Sequence, residues 1–322
     1  MLAELPLHEP RVIYRHRHSQ DFPYVADMTC VTATAEHEKL RERALASLAS
    51  LPPFSPILNR LIATLSREDV SFIKIAELIE KDTVLAGNVL RLVNSALYGR
   101  RATVNSVRHA VSLLGINKLR NATLGMSVTR MWNQVRSPAG WSMGRFNLHA
   151  VGTAMLADLL AQELPVEYAE GAFAAGLFHD LGRLLIALAL PDEYSQIAIV
   201  SSGSHLTRSE CEAEVLGFTH ADLSADALAV WNLPDEIRVA VEYHHRPRPA
   251  EQEGNFSLSQ MIAVADEMVN SCGYRIEGRG MPGFEPEILK NEAARIQALG
   301  IRNPERLLQT FVTEFEALRS LF

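Results

Sequence analysis

Cysteine is scarce in this chain: Cys30, Cys211 and Cys272 are the only three among 322 residues. An odd number cannot pair completely, and no two stand in C-x-x-C spacing. A disulfide framework and a thiolate metal ribbon are therefore excluded, and reduced thiols in a cytoplasmic protein are expected. Positive charge is also in short supply. Lys and Arg number 31 against 38 Asp and Glu, a formal net charge of −7. Without a basic excess there is no electrostatic footprint for a phosphate backbone, so nucleic acid is not an expected partner. No uninterrupted apolar run approaches the roughly 18–20 residues needed to cross a bilayer, and no membrane partner is expected. The opening residues Met1 to Pro10 carry Glu4, His8, Glu9 and two prolines. They lack the basic start and apolar centre of a secretory leader.

Alternation of apolar and polar residues is missing too, so no strand is expected. What the chain does have is helical periodicity, in a composition that is 48% hydrophobic. Residues 1–35 contain prolines at 6, 10 and 23 and a basic cluster from Arg11 to His18, and read as a loosely ordered arm. From Glu36 the pattern is helical until Leu51-Pro52-Pro53 interrupts it. Ser55-Pro56 offers an N-cap with proline at the first helical position, ahead of Ile57, Leu58, Leu61, Ile62 and Leu65. Ser71 is a candidate cap for the next helix. Asp82-Thr83 starts another, with an apolar stripe of Val84, Leu85, Val89, Leu90, Val93 and Leu97 that stops at Gly99. A short helix from Asn105 or Ser106 to Gly115 follows, then one from Ile116 to Trp132. Ser137-Pro138-Ala139-Gly140 punctuates the chain and separates a helical half at 36–137 from a second half at 138–322. In that half, helices are expected over 144–163, 167–190, 192–201, 208–216, 220–232, 234–245, 257–272, 287–298 and 304–321. The expected fold is all-α, a multi-helix bundle.

Chemistry concentrates at Phe178-His179-Asp180-Leu181-Gly182-Arg183, which lies between the apolar runs 172–177 and 184–190. An unpartnered polar group buried there costs roughly 2–7 kcal/mol. A lone core histidine is usually just hydrogen-bonded, but this pair has company. His149 lies mid-helix, His220 starts a helix, His244-His245 end one, and Asp266 sits inside the apolar stretch Met261 to Met268. Imidazole and carboxylate are ligands for zinc, iron or manganese, and a set of this size can hold two ions. Asp180 would be the natural bridging carboxylate. His220 and His245 stand at helix ends, where capping accounts for them equally well.

The order His149, His179-Asp180, His220, His244-His245, Asp266 resembles the HD superfamily of metal-dependent phosphohydrolases. Leu51-Pro52-Pro53, "DTVLAGNVLRLVNSALYG" (82–99), "SVRHAVSLLGINKLRNATLG" (106–125) and "WNLPDEIRVAVEYHHRP" (231–247) narrow this to the HDOD (HD-related output) domain. The resemblance covers about residues 36–320. It implies a bacterial, all-helical, HD-domain-like module, found alone or joined to signalling domains. It also implies one or two divalent transition-metal ions (Fe, Mn or Zn) on His149, His179, Asp180, His220, His244, His245 and Asp266. Many HDOD members have lost part of this set, whereas this chain keeps each position. The related HD-GYP enzymes, which hydrolyse cyclic di-GMP, carry a Lys where this chain has Arg183. They also carry Gly-Tyr-Pro after the paired histidines, where this chain has Arg246-Pro247-Arg248-Pro249, so cyclic di-GMP is not an expected substrate.

Two functions follow from the resemblance. One is a signal-transduction output module acting through a signalling protein partner or a ligand. Its partner surface is then expected in the first half, on the helix 83–98 that presents Asn88, Arg91, Asn94 and Ser95. The alternative is an active phosphohydrolase on a small phosphorylated ligand, a phosphoester or nucleotide, with Asp180 and Arg183 as its catalytic pair. Arg183, always charged, would grip the phosphate bidentately, unless it forms only a surface salt bridge. A third reading is a helical scaffold without metal.

Overall fold

Capping residues set where the helices begin, in a computed structural model that describes residues 26–65, 72–95, 103–277 and 282–319. Helix α1 (Ala26–Ala46) and a 3-10 turn (Ser47–Ser50) run up to the break at Leu51. Ser55 Oγ then accepts the Leu58 N–H and Pro56 takes the first position of α2 (Pro56–Thr64). After α3 (Phe72–Lys81), Asp82 caps α4 (Thr83–Val93) by accepting from the Leu85 N–H. Ser106 caps α5 (Val107–Leu114), and Gly115, at φ 75°, turns the chain into α6 (Ile116–Trp132). The positive φ is what the small turn requires and what glycine adopts without strain.

The second half opens with α7 (Met143–Glu163), capped by Ser142. A 3-10 turn (Ala169–Gly171) leads into α8 (Ala172–Phe178) and α9 (Leu181–Ala189), followed by α10 (Pro191–Gly203). Complete capping boxes start α11 (Arg208–Leu216), α12 (His220–Val230) and, after α13 (Asp235–Glu242), α14 (Leu258–Ser271). Each is worth about 1 kcal/mol to its helix. Helices α15 (Pro286–Ala298) and α16 (Pro304–Arg319) finish the described chain. Among the described residues the only extended pairing is one bridge, Val166 to Phe256. The fold is all-α.

Four expectations change. Helix α1 begins at Ala26, inside the stretch read as a loose arm; residues 1–25 lie outside the described residues, as do Ser71, Leu97 and Gly99. Helix α4 ends at Val93, because the Asn94 side chain holds the turn that follows. Its Nδ2 donates to the carbonyls of Leu90 and Val104, and its Oδ1 accepts the Val104 N–H. The buried face of α4 is Leu85, Val89, Leu92 and Val93, a regular i, i+4, i+7, i+8 stripe. Val84 falls off that stripe and is 52% exposed. Finally, the single helix expected over 167–190 is two, broken at His179-Asp180.

That break matters for the site. Every residue of α8 is buried, and a Cβ at Gly176 would lie 2.7 Å from Ala154 Cα, so α7 and α8 touch backbone to backbone. At Gly182 a Cβ would lie 2.1 Å from the His220 carbonyl oxygen, and the Gly182 N–H donates to Ser224 Oγ. Helix α9 is thus pressed onto the start of α12 on a new heading, and the two ligand residues sit in the corner. The run Ala169–Ala189 is long and apolar enough to cross a membrane by length and composition, yet 83% of that window is buried inside the molecule. One apolar core serves both halves, with Trp132 of α6 packed against Phe146 of α7 and Phe178 of α8.

Candidate metal centre

Five separate elements deliver the polar groups. His149 comes from the middle of α7 and His179 with Asp180 from the α8–α9 corner. His220 is the first residue of α12, His244 and His245 follow α13, and Asp266 lies in α14. His149, His179, Asp180, His220, His244 and Asp266 are buried; His245 is exposed at the rim. The capping alternative for His220 fails, because Thr219 performs that role and leaves the imidazole free to turn inward.

Backbone acceptors orient the rings. Nδ1 of His149 lies 2.9 Å from the Tyr274 carbonyl, Nδ1 of His179 lies 2.8 Å from that of Gly176, and Nδ1 of His244 lies 2.6 Å from that of Val241. His220 Nδ1 lies 2.5 Å from Glu212 Oε2. A carbonyl or carboxylate only accepts, so each Nδ1 carries the proton. In the neutral ring that leaves the Nε2 lone pair facing inward, the usual arrangement of a metal-ligating histidine.

The inward atoms crowd one another. Nε2 of His149 and His179 are 3.2 Å apart, and Nε2 of His220 and His245 are 2.9 Å apart. Between two neutral Nδ1–H rings, as His149 and His179 are oriented to be, facing lone pairs repel unless a cation or a proton sits with them. Among the described residues His244 Nε2 is buried with no hydrogen-bond partner, an omission that costs roughly 1–3 kcal/mol. Asp180 divides its oxygens between two sets of rings. Oδ2 lies 3.3 Å from His149 Nε2 and 3.6 Å from His179 Nε2; Oδ1 lies 3.0 Å from His220 Nε2 and 4.0 Å from His244 Nε2. Asp266 Oδ1 lies 3.2 Å from His149 Nε2 and 3.6 Å from His179 Nε2. Three overlapping groups of ligand atoms result: Asp180 with His220, His244 and His245; His149 with His179 and Asp180; and His179 with His244 and Asp266. All-nitrogen-and-oxygen donors with a shared carboxylate fit one or two divalent ions of the zinc, iron or manganese type.

Electrostatics agree with an acidic, cation-seeking centre. Burial alone would raise Asp180, but His179, Arg183, His220 and a hydrogen bond to His149 hold its carboxyl well below the usual range. Burial opposes the charge of Asp266 in the same way, and hydrogen bonds to His149 and His179 overcome it. His149 and His220 rise to about 9, because nearby carboxylates outweigh the penalty of burial. Without metal the centre gathers protons instead, whereas His244, buried among other imidazoles, is driven well below its ordinary value.

Supporting residues escape a reading of the sequence. Fully buried Glu212 accepts both the backbone N–H and Nδ1–H of His220 on Oε2, while Arg208 donates to its Oε1 at 2.9 Å. Burial pushes Glu212 up, and His220 and Arg208 bring it down to about 2. Asn270 Nδ2 donates to Asp266 Oδ1 at 2.8 Å. Arg208 and Glu212 are four residues apart on one helix, the pattern of an exposed ion pair, so their spacing points away from the site. Arg183 is not a surface group. Only 14% exposed, it reaches Asp180 Oδ2 at 3.1 Å on one side and Glu277 Oε1 at 3.1 Å on the other.

The HDOD domain family matches residues 51–247 of the chain. An HDOD-domain protein of unknown function from Geobacter sulfurreducens shares the fold, with TM-score 0.66 and 23% identity, over 88% of this chain and 99% of that one. A proposed phosphohydrolase from Shewanella amazonensis SB2B aligns with TM-score 0.65 and 22% identity, over 87% and 98% of the two chains. A proposed signal transduction protein from Marinobacter aquaeolei VT8 gives TM-score 0.61 and 20% identity, over 88% and 66%. An uncharacterized protein of Treponema pallidum (strain Nichols) is 23% identical over 63% of this chain, and the match spans 39% of that protein's length.

Proposed function

The chain belongs to the HDOD domain family, and we propose that it is a signalling output module built around a metal centre. The centre holds one or two divalent transition-metal ions, iron, manganese or zinc, on His149, His179, Asp180, His220, His244, His245 and Asp266. The module then acts by binding a partner protein or a ligand. One observation carries the metal: inward Nε2 atoms lie 3.2 and 2.9 Å apart, and among the described residues His244 Nε2 has no hydrogen-bond partner. Bound cations in the overlapping ligand groups satisfy them together.

Elemental analysis is the test, on the natural chain and on the His179→Ala/Asp180→Ala pair. About one ion per chain or more is expected in the first and little in the second. Loss of the ion should also lower the melting temperature, since a ligand that binds only the folded state stabilises it by mass action. Less than about half an ion per chain after metal supplementation overturns the assignment.

A second reading, an active phosphohydrolase, is favoured by Arg183 lying against Asp180 at the edge of the centre. A bound ion there supplies Lewis acidity toward a phosphoryl oxygen. Asp180 would hold that centre together through both oxygens, and Arg183 would orient the phosphate with its planar fork. A phosphoester or nucleotide is the substrate class, and cyclic di-GMP is expected to remain intact in a screen of such compounds.

The partner surface proposed for this module is the exposed side of α4. Asn94 is committed to its own turn and Ser95 Oγ is buried, so of the four residues expected there Asn88 and Arg91 remain, beside a cleft of about 250 Å³ lined by Pro53, Val84, Asn88, Met126 and Arg130.

A further inference from the structure

Beside the ligand cluster, two arginines share an anion that belongs to neither the cluster nor its supports. Arg183 comes from α9 and Arg208 from α11; their side chains are 14% and 15% exposed. Each has a carboxylate of its own, Asp180 for Arg183 and Glu212 for Arg208. Between them lies Glu277, from the segment joining α14 to α15. Its Oε1 receives Arg183 Nη2 at 3.1 Å, Arg208 Nη1 at 2.5 Å and the Tyr194 hydroxyl at 2.9 Å. Arg208 also lies 5.0 Å over the Tyr194 ring, which holds the guanidinium in place.

We propose that Arg183, Arg208 and Tyr194 form a binding site for a phosphoryl oxyanion, and that the Glu277 carboxylate occupies this site until such a ligand displaces it. The inference rests on the reading of the neighbouring cluster as a metal centre that serves a phosphorylated ligand.

Three features separate this from an ordinary ion pair. First, donors outnumber acceptors. Among the described residues Arg183 Nε and Arg208 Nη2 are buried with no hydrogen-bond partner, and one carboxylate oxygen already takes three donors. Each guanidinium carries five N–H groups in a fixed fork. A phosphoryl group brings three oxygens where Glu277 offers one in contact, and matches the fork bidentately.

Second, Glu277 is the one member that can leave cheaply. Its side chain is 44% exposed, whereas Glu212 is fully buried and Asp180 nearly so. The arginines hold the Glu277 carboxyl below its usual range against its partial burial, so it is charged at neutral pH and competes as an anion. Third, position is right for chemistry at the cluster. Arg183 donates to Asp180 Oδ2 with Nη1 and to Glu277 with Nη2, so an anion replacing Glu277 sits one guanidinium away from the shared carboxylate.

The test is inorganic phosphate, titrated by calorimetry into the metal-supplemented natural chain, Glu277→Gln and Glu277→Ala. If Glu277 holds the site about nine-tenths of the time, removing it tightens phosphate binding about tenfold, because apparent affinity scales with the fraction of competent sites. Both variants should show that gain, with a matching phosphate-induced rise in melting temperature. Adding Arg208→Lys to Glu277→Gln keeps the charge beside Glu212 but breaks the fork, and should abolish the gain. A nucleoside monophosphate run in parallel tells the sources apart: a gain for both ligands assigns the free group, and a gain for the monoester alone assigns a phosphoester. Unchanged affinity for both ligands in both Glu277 variants, or a full gain retained with Arg208→Lys, overturns the proposal. Metal content measured on the same preparations separates the two readings. Full occupancy with unchanged affinity sinks this inference alone. Absent metal sinks the metal-centre reading, and the tenfold ratio is then read on the metal-free chain, where the arginines still form the site.

Discussion

Glu212 illustrates how a single buried charge is made tolerable. Isolated, its carboxylate would face a desolvation cost of several kcal/mol. Here it accepts from the His220 backbone, the His220 ring and Arg208. In return it fixes which nitrogen of His220 points at the cluster. Glu212→Gln keeps the shape and removes the charge that favours the Nδ1–H tautomer. We expect metal retention to fall about 10- to 100-fold in a chelator competition, the usual cost of losing such a support. Retention equal to that of the natural chain would mean Glu212 serves the fold and not the centre.

At the scale of elements, the contact that matters is α9 against α12. Gly182 permits it, because any Cβ there collides with the His220 carbonyl oxygen at 2.1 Å. Backbone cannot yield as a flexible side chain does, so Gly182→Ala must push the two helices apart. The expected cost is about 1–3 kcal/mol, typical of an overpacked core, together with lost metal, since Asp180 and His220 lie on either side of the contact. Gly87 in α4 makes the control: a Cβ there meets nothing within 4 Å. Gly87→Ala should gain about 0.5–1 kcal/mol through helix propensity. Thermal melting of the two variants checks both signs, and a Gly182→Ala chain as stable as the natural one would refute the account of the corner.

For the whole molecule, the centre lies entirely in the second half while the proposed partner surface lies in the first, joined through the shared core of Trp132, Phe146 and Phe178. Arg91 is exposed and donates to Asn88, one turn back on the same helix. Arginine is enriched at interface hot spots, unlike the Lys and Glu of a merely solvated face. Charge reversal, Arg91→Glu, should therefore abolish partner capture in a pull-down while leaving melting temperature and metal content as they were. A melting temperature several degrees lower, or undiminished capture, would remove α4 from the partner surface.

The sequence alone determined the helices with local start signals and the residue types at the centre. Ser55, Asp82 and Ser106 each accept a backbone N–H three residues on, and an interaction that short is visible in the order of residues. Ligand-type side chains at apolar positions were equally legible, because burying them unpartnered is costly wherever they go. What only tertiary structure decided spans long separations. His149 is oriented by a carbonyl 125 residues away, and Arg208 meets Glu277 across 69. The break at Asp180 depends on α12 pressing against Gly182, and Glu212 turns from a surface-type residue into a buried support because α11 packs beside α12. No local period encodes such contacts: they exist only once helix faces have chosen their neighbours.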